Sequence, residues 1–338
     1  MRVAVLMGGT SDERDVSLAS GAQVAAALRL AGHQVVAVDT AQGVLTPADE
    51  ERLRLGGVAA LPPPSAELGS LDESHTVALT RDPDLSDVDV YFLALHGGSG
   101  EDGTLQALLE VAGAAYTGSD RLGCSLAMDK EVSKRLMRDA GILTPDWLVG
   151  PQDADYVEEM LGLPVIVKAS GGGSSLRLHL AHDRAELDSA IADSLGWDDV
   201  VLFERYHRGR ELTVGVVGGE ALPVGEIVPK NEFFDYESKY QMGMAEEIFP
   251  ADIPAEWVER LQDLAVRTHE TLRLRDYSRI DFIVDEAGDA WCLEANALPG
   301  MTENSLLPKG ARAAGMEFAE LCDRIVLLAS ARKSGHNT

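Results

Sequence analysis

Short unbroken apolar runs alternate along this chain with stretches whose apolar residues recur at helical spacing. Residues 2–7 (RVAVLM) are one such run. Gly8-Gly9-Thr10-Ser11-Asp12-Glu13-Arg14-Asp15 follows, and then the spaced positions Val16, Leu18, Ala19, Val24 and Leu28. This predicts a buried strand, a glycine turn and a helix starting near Asp15. Further strands are predicted over 33–39, 88–95, 164–168, 176–180 and 200–206. Helices are predicted from Met128-Asp129-Lys130 to about Ala140, and over 186–194, 254–273 and 313–331. A hairpin turning at Gly218-Gly219 runs from Glu211 to Glu226, and residues 40–80, rich in Pro, Gly, Glu and Asp, read as largely surface. Strands alternating with helices make this an α/β protein, mixed with α+β elements. A domain boundary is placed just before Lys130.

The stretch from Ser278 to Leu306 (SRIDFIVDEAGDAWCLEANALPGMTENSL) predicts a β-hairpin with Glu286-Ala287-Gly288-Asp289 at its tip. Centred between Ala287 and Gly288, it sets Asp281 opposite Glu294 and Arg279 opposite Asn296. Alternation then puts all four side chains on one face. Directly opposed like charges destabilise a sheet. Either the face is solvated, or a hard cation sits between the acids. Two carboxylates and an amide oxygen suit Mg²⁺ shared with a phosphate.

Glycine-rich turns recur where strands end. Glu13 follows the first; it is either a helix-start acid favoured by the dipole or a ligand group. His96 ends the 88–95 strand beside Gly97-Gly98-Ser99-Gly100, at the carboxyl edge where doubly wound sheets bind ligands. Lys168 ends another strand and is followed by Ala169-Ser170-Gly171-Gly172-Gly173-Ser174-Ser175. Such a loop can wrap its N–H groups around phosphate, or it can be a plain hairpin loop. The Gly8-Gly9 turn is not a G-x-G-x-x-G sequence, and the loop after Lys168 is not a Walker sequence. Residues 229–243 carry aromatics and charge without any period, as lids or disordered segments do.

Composition narrows the partners. The 338 residues are 45% hydrophobic and 25% charged, with a net charge of −27. That acidity argues against nucleic acid and against anionic membrane. An anionic substrate must therefore be met by locally placed cations. Cys124, Cys292 and Cys322 form no close pair and no metal spacing, which predicts free thiols in a reducing cytosol. No apolar run reaches transmembrane length, and the opening residues are too short for a signal peptide, so a cytoplasmic location is expected.

Seven motifs stand in one order: GGTSxER (8–14), LHGGSGEDG (95–103), MDK (128–130), VIVK followed by GSS, Glu237-Ser238-Lys239-Tyr240, RIDF (279–282), and LEAN-x-LPGMT-x-x-SL (293–306). In this register the chain closely resembles, over nearly its whole length, the D-alanine–D-alanine ligase family of the ATP-grasp superfamily. The resemblance implies a three-domain ATP-grasp fold. Residues 1–129 would form a Rossmann-like domain for the first substrate and 130–211 a central subdomain. Residues 212–338 would form a C-terminal subdomain with a lid at 230–246 and a Mg²⁺-binding hairpin at 278–297.

It also implies roles. ATP would phosphorylate the carboxylate of one D-alanine, and the amine of a second would displace the phosphate, supplying peptidoglycan precursor for the cell wall. Lys130, Lys168 and Lys239 would meet the triphosphate, with Glu204 and Glu211 at adenine and ribose. Asp281, Glu294 and Asn296 would hold two Mg²⁺ or Mn²⁺ ions. Glu13, with His96 nearby, would take the first ammonium. Arg279 and the Gly300 N–H would form the oxyanion site, and Ser305 and Leu306 would hold the second carboxylate. Ser174 and Tyr240 would join Glu13 in closing the lid; the tyrosine marks a dipeptide-forming rather than an ester-forming member. A homodimer is expected. The chain departs from the family at Gly172, where a glutamate is common, at Leu176-Arg177, where Val-Gly is usual, and at Ala297, where threonine is usual. The alternatives are a relative with another second substrate, such as D-serine, and a non-catalytic nucleotide-binding protein.

Overall fold

The computed structural model describes residues 1–55, 63–69, 71, 74–171, 177–197, 199–229 and 245–335. The lid residues 230–244, with Lys239 and Tyr240, and the loop 172–176, with Ser174, lie outside the described residues.

Three sheets follow one another along the chain. The first holds β1 (Arg2–Met7), β2 (Gln34–Asp39), β3 (Gly43–Val44) and β4 (Val90–Leu93), in the order β3-β2-β1-β4. β1 runs parallel to both β2 and β4, and only β3 is antiparallel. Parallel strands are covered on both faces, which is why β1 and β4 are continuous apolar runs without alternation. Helices α1 (Arg14–Leu30) and α2 (Thr104–Val111) contribute to this part. Next come α3 (Arg121–Met128) and α4 (Lys130–Asp139). Asp129 separates them by capping α4, its carboxylate accepting from the N–H groups of Glu131 and Val132.

The second sheet, order β5-β8-β6-β7, is wholly antiparallel: β5 (Trp147–Val149), β6 (Val165–Ala169), β7 (Leu178–Ala181) and β8 (Val201–Arg205). α5 (Ala154–Leu161) and α6 (Arg184–Ser194) pack against it around Val157, Val165, Val167, Leu187 and Phe203. The third sheet contains β9 (Arg210–Val217), β10 (Glu220–Ala221), β11 (Gly225–Pro229), β12 (Ala245–Ile248), β13 (Tyr277–Val284) and β14 (Ala290–Asn296), with β9 and β13 at its centre. α7 (Ala255–Thr271) covers its apolar face through Leu261, Leu264 and Ala265, against Leu212, Val214, Ile280 and Phe282.

The last helix, expected over 313–331, is α9 (Phe318–Gly335), and a separate helix not expected from the sequence, α8 (Leu306–Ala313), precedes it. Gly315 at φ +82° interrupts them, a left-handed conformation no L side chain favours. α9 does not stay with the third sheet. Its Phe318, Leu321, Ile325, Val326 and Ala329 enter the same buried cluster as Val3, Val5, Leu28 and Phe92, so the last helix completes the first core.

The hairpin register is as expected at the functional rows, with Asp281 paired to Glu294 and Arg279 to Asn296. Nearer the tip it is shifted by one, with Phe282 facing Cys292 and Val284 facing Ala290 across a loop of residues 285–289. A β-bulge at Leu293 reconciles the two. If the tip register continued unbroken, Glu294 would face Ile280 on the core side instead of Asp281.

The link between the second and third sheets is tight. A Cβ on Gly209 would lie 2.3 Å from the carbonyl oxygen of Val284, a backbone atom that cannot swing away. Gly209→Ala is expected to cost about 1–3 kcal/mol of stability, read as a lower urea midpoint at unchanged slope.

Candidate active site

The face shared by β9, β13 and β14 carries the densest polar cluster. Thr213, Asp281 and Glu294 form one cross-strand row, and Gly215, Arg279 and Asn296 the next. Arg279 grips Asp281 through Nε to Oδ1 at 2.9 Å and Nη2 to Oδ2 at 2.8 Å. Thr213 Oγ1 donates to Asp281 Oδ1 at 2.7 Å and Asn296 Nδ2 to Oδ2 at 3.1 Å. Lys130 Nζ, from the start of α4, reaches Glu294 Oε2 at 3.6 Å. The two acids therefore face neither bulk solvent nor each other alone, because the protein supplies a cation to each. Among the described residues no three His, Cys, Asp or Glu side chains gather as a metal cluster. Two carboxylates and an amide on one face remain an all-oxygen donor set suited to a hard divalent ion. Glu211 lies on the same face, one position beyond Thr213 in the alternation.

A second cluster adjoins it on the second sheet. Lys168 Nζ donates to Glu204 Oε1 at 2.9 Å, and Lys134 Nζ to Glu204 Oε2 at 2.6 Å. Both carboxylate oxygens of Glu204 are thus taken by ammonium groups, so any contact of this residue with a nucleotide runs through its backbone and neighbours. Lys168 is joined to Lys130 through the next residues: Ser170 O accepts from Lys130 Nζ at 3.4 Å, and Ser170 Oγ donates to Asp129 Oδ1 at 3.1 Å. Arg177, in the departure from the family loop, is exposed at φ +54°.

The third cluster joins the first sheet to the segment after β14. His96 is buried, with Nδ1 3.1 Å from the carbonyl of Leu298 and Nε2 3.1 Å from Ser20 Oγ. A carbonyl only accepts, so Nδ1 carries the proton and Ser20 donates to Nε2. Burial pulls the His96 pKa down, favouring this neutral form. His96 therefore tethers the Leu298–Met301 segment. The Glu13 carboxylate lies against Gly97, where a Cβ would meet its Oε2 at 2.8 Å and where φ is +64°. Glu13 is the N-cap residue of α1 and makes no capping hydrogen bond through its side chain, while the helix dipole still favours an acid at this position. Ser305 begins α8, its Oγ receiving the Thr302 N–H at 3.1 Å, next to Gly300. Leu306 is buried against Ile227.

Two residues in these clusters escaped the motif reading. Lys134 repeats Lys130 one helical turn on, and its place in the buried stripe Lys130, Ser133, Lys134, Met137 was the available signal. Glu101 lies in LHGGSGEDG and accepts from the N–H of Gly97 at 3.0 Å and of Leu298 at 3.4 Å. Nothing in its local sequence announces that it meets Glu13.

The chain matches two family descriptions, "D-ala D-ala ligase N-terminus" over residues 2–119 and "D-ala D-ala ligase C-terminus" over 136–327. It belongs to the D-alanine–D-alanine ligase family. A D-alanine–D-alanine ligase of Syntrophotalea carbinolica is 39% identical over 98% of this chain and 97% of that protein. The Bacillus anthracis D-alanine–D-alanine ligase complexed with ATP superposes with a TM-score of 0.78 at 31% identity, covering 99% of each chain. The VanG D-Ala:D-Ser ligase of Enterococcus faecalis gives 0.79 at 27% identity, covering 97% of this chain and 99% of that one. The fold is accordingly that of the ATP-grasp ligases, a mixture of helices and several open sheets.

Burial, and after it the nearby Glu13 carboxylate, push the Glu101 pKa up from 4.5 to about 7. A group that binds its proton more tightly when folded stabilises below its unfolded pKa, and this is lost as pH rises through 7. Glu101→Gln mimics the protonated form. It should melt about 2–4 °C above the parent at pH 8, with the gap closing by pH 5, in thermal scans at both values.

Proposed function

We propose that the chain is an ATP-dependent D-alanine–D-alanine ligase. The observation that carries this reading is the convergence of Lys130, Arg279, Asp281, Glu294 and Asn296 at one face of the β13–β14 hairpin, in a chain of this family. In the proposed reaction a carboxylate oxygen of the first D-alanine attacks the γ-phosphorus of ATP, and ADP leaves. The amine of the second D-alanine then attacks the acyl carbon, losing a proton, and phosphate departs as the peptide bond forms. Such phosphoryl transfer depends on alignment and charge neutralisation.

Lys130 and Lys168, joined by Lys239 from the lid, would bind the triphosphate, with Glu204 and Glu211 flanking adenine and ribose. Asp281, Glu294 and Asn296 fit Mg²⁺ or Mn²⁺, and two such ions would offset the phosphate charge. Glu13 would hold the first substrate's ammonium, with His96 fixing the loop beside it. Arg279 and the Gly300 N–H would stabilise the developing oxyanion. Ser305 and Leu306 would receive the second substrate's carboxylate. Ser174 and Tyr240, with Glu13, would close the lid and exclude water, which would otherwise hydrolyse the acyl phosphate.

The proposed domains are 1–129, 130–211 and 212–338, each centred on one of the three sheets; the last boundary falls within β9, which starts at Arg210, and α9 packs back on the first core. Among the described residues no helix is long and apolar enough to cross a membrane. A cytoplasmic homodimer feeding peptidoglycan synthesis fits the family and the buried free thiols.

Phosphate release from ATP that depends on added D-alanine tests the reading. Its absence, with ATP bound, would leave a nucleotide-binding protein. Product masses from mixed D-alanine, D-serine and D-lactate decide the acceptor, an open choice given the likeness to a D-Ala:D-Ser ligase. Glu294→Gln should lower kcat by at least about 100-fold without changing the melting temperature. Tyr240→Phe should raise the share of D-alanyl-D-lactate in the same competition.

A further inference from the structure

Lys134 has no role in the reaction proposed above, yet it is fully buried, and a buried ammonium is costly unless something requires it. Its Nζ donates to Glu204 Oε2 at 2.6 Å and to Thr144 Oγ1 at 2.8 Å, and it lies 5.1 Å from the centroid of the Trp147 ring. Trp147 stands directly opposite Glu204 on β5, and Lys168 lies diagonally from Glu204 on β6, so all three share one face. The Glu204 carboxylate is thereby clamped between two lysines, one fully buried and one at the end of β6.

Charge decides what this arrangement does. Lys168 and Glu204 alone sum to zero and would offer a triphosphate little attraction. The second ammonium restores a net positive charge to the cluster.

We propose that Lys134 is a positioning residue for nucleotide binding: by occupying one oxygen of Glu204 it fixes that carboxylate and leaves the Lys168 charge available to phosphate. The inference rests on the ATP-binding reading above and deepens it. The surroundings agree. Burial pulls the Lys134 pKa down to about 8, with Glu204 opposing and Lys168 adding to the fall. Glu204 resists its own burial because the two ammoniums hold its carboxyl below the ordinary value. The other groups facing Lys134 are the Cys292 thiol on β14, pushed up to about 12 by burial, and Arg138, whose guanidinium sits 4.4 Å from the Trp147 centroid. Neither changes charge near pH 8.

The test is direct titration with a non-hydrolysable ATP analogue and Mg²⁺, alongside steady-state kinetics. Lys134→Met should weaken analogue binding about tenfold while leaving the KM for D-alanine within about twofold. Adding Glu204→Gln to that variant removes the negative charge that would otherwise neutralise Lys168, and affinity should move back toward that of the parent. Parent affinity should fall as pH rises through 8, and the Lys134→Met variant should be flat there. Analogue binding unchanged in Lys134→Met, or a double variant no tighter than the single, overturns the proposal. So does loss of folding in both variants by circular dichroism, which would make Lys134 purely structural. If the parent binds the analogue but releases no phosphate with D-alanine, the ligase reading fails while the proposal still stands or falls on the affinities. A parent that binds no analogue overturns both.

Discussion

Directly opposed residues on antiparallel strands have Cβ atoms about 5 Å apart, and two like unit charges at such a spacing repel by about 3 kcal/mol at an effective dielectric of about 20. Asp281 and Glu294 are held in that relation by the backbone ladder, and much of the molecule is arranged around the consequence. Arg279, two residues along the same strand, neutralises one acid, and Lys130 comes from a different element to neutralise the other. That second contact ties the start of α4 to β14, and Ser170 ties it to the end of β6. A local conflict on one hairpin thus fixes how the second sheet and the third face each other.

The same economy appears where the first sheet meets the segment after β14. His96 and Glu101 bind the backbone of Leu298 from two sides, and Ser20 reaches both His96 and the Met301 N–H. None of these contacts is between residues close in sequence. Each substitutes for a hydrogen bond that a loop crossing a domain junction would otherwise make to water. Gly300 and Ser305 owe their positions to this framework.

The sequence was most legible where a period or a register governs. The apolar runs of β1 and β4, the helical stripe of α1 and the pairing of Asp281 with Glu294 all follow from alternation and turn chemistry. The tip of that hairpin was misjudged by one residue because a bulge at Leu293 leaves no mark in composition. The break at Gly315 was legible in principle, since a glycine inside a helical stretch is a stop signal. Lys134 and Glu101 were missed for a different reason. Their significance lies in partners 70 residues away for one and 197 for the other, and side-chain type alone does not reveal a long-range neighbour. Motif resemblance reached the residues expected to touch substrate and passed over those that hold them.

The return of α9 to the first core orders events during synthesis. As the chain leaves the ribosome, β1, α1 and β4 emerge early but lack the apolar cover that Leu321, Ile325 and Val326 provide. That surface stays open until α9 has been made, 225 residues beyond the end of β4 at Leu93, so a segment that appears before the other two sheets is sealed after them. A chain interrupted short of α9 would carry an uncovered hydrophobic flank, the kind of surface that chaperones and proteases recognise.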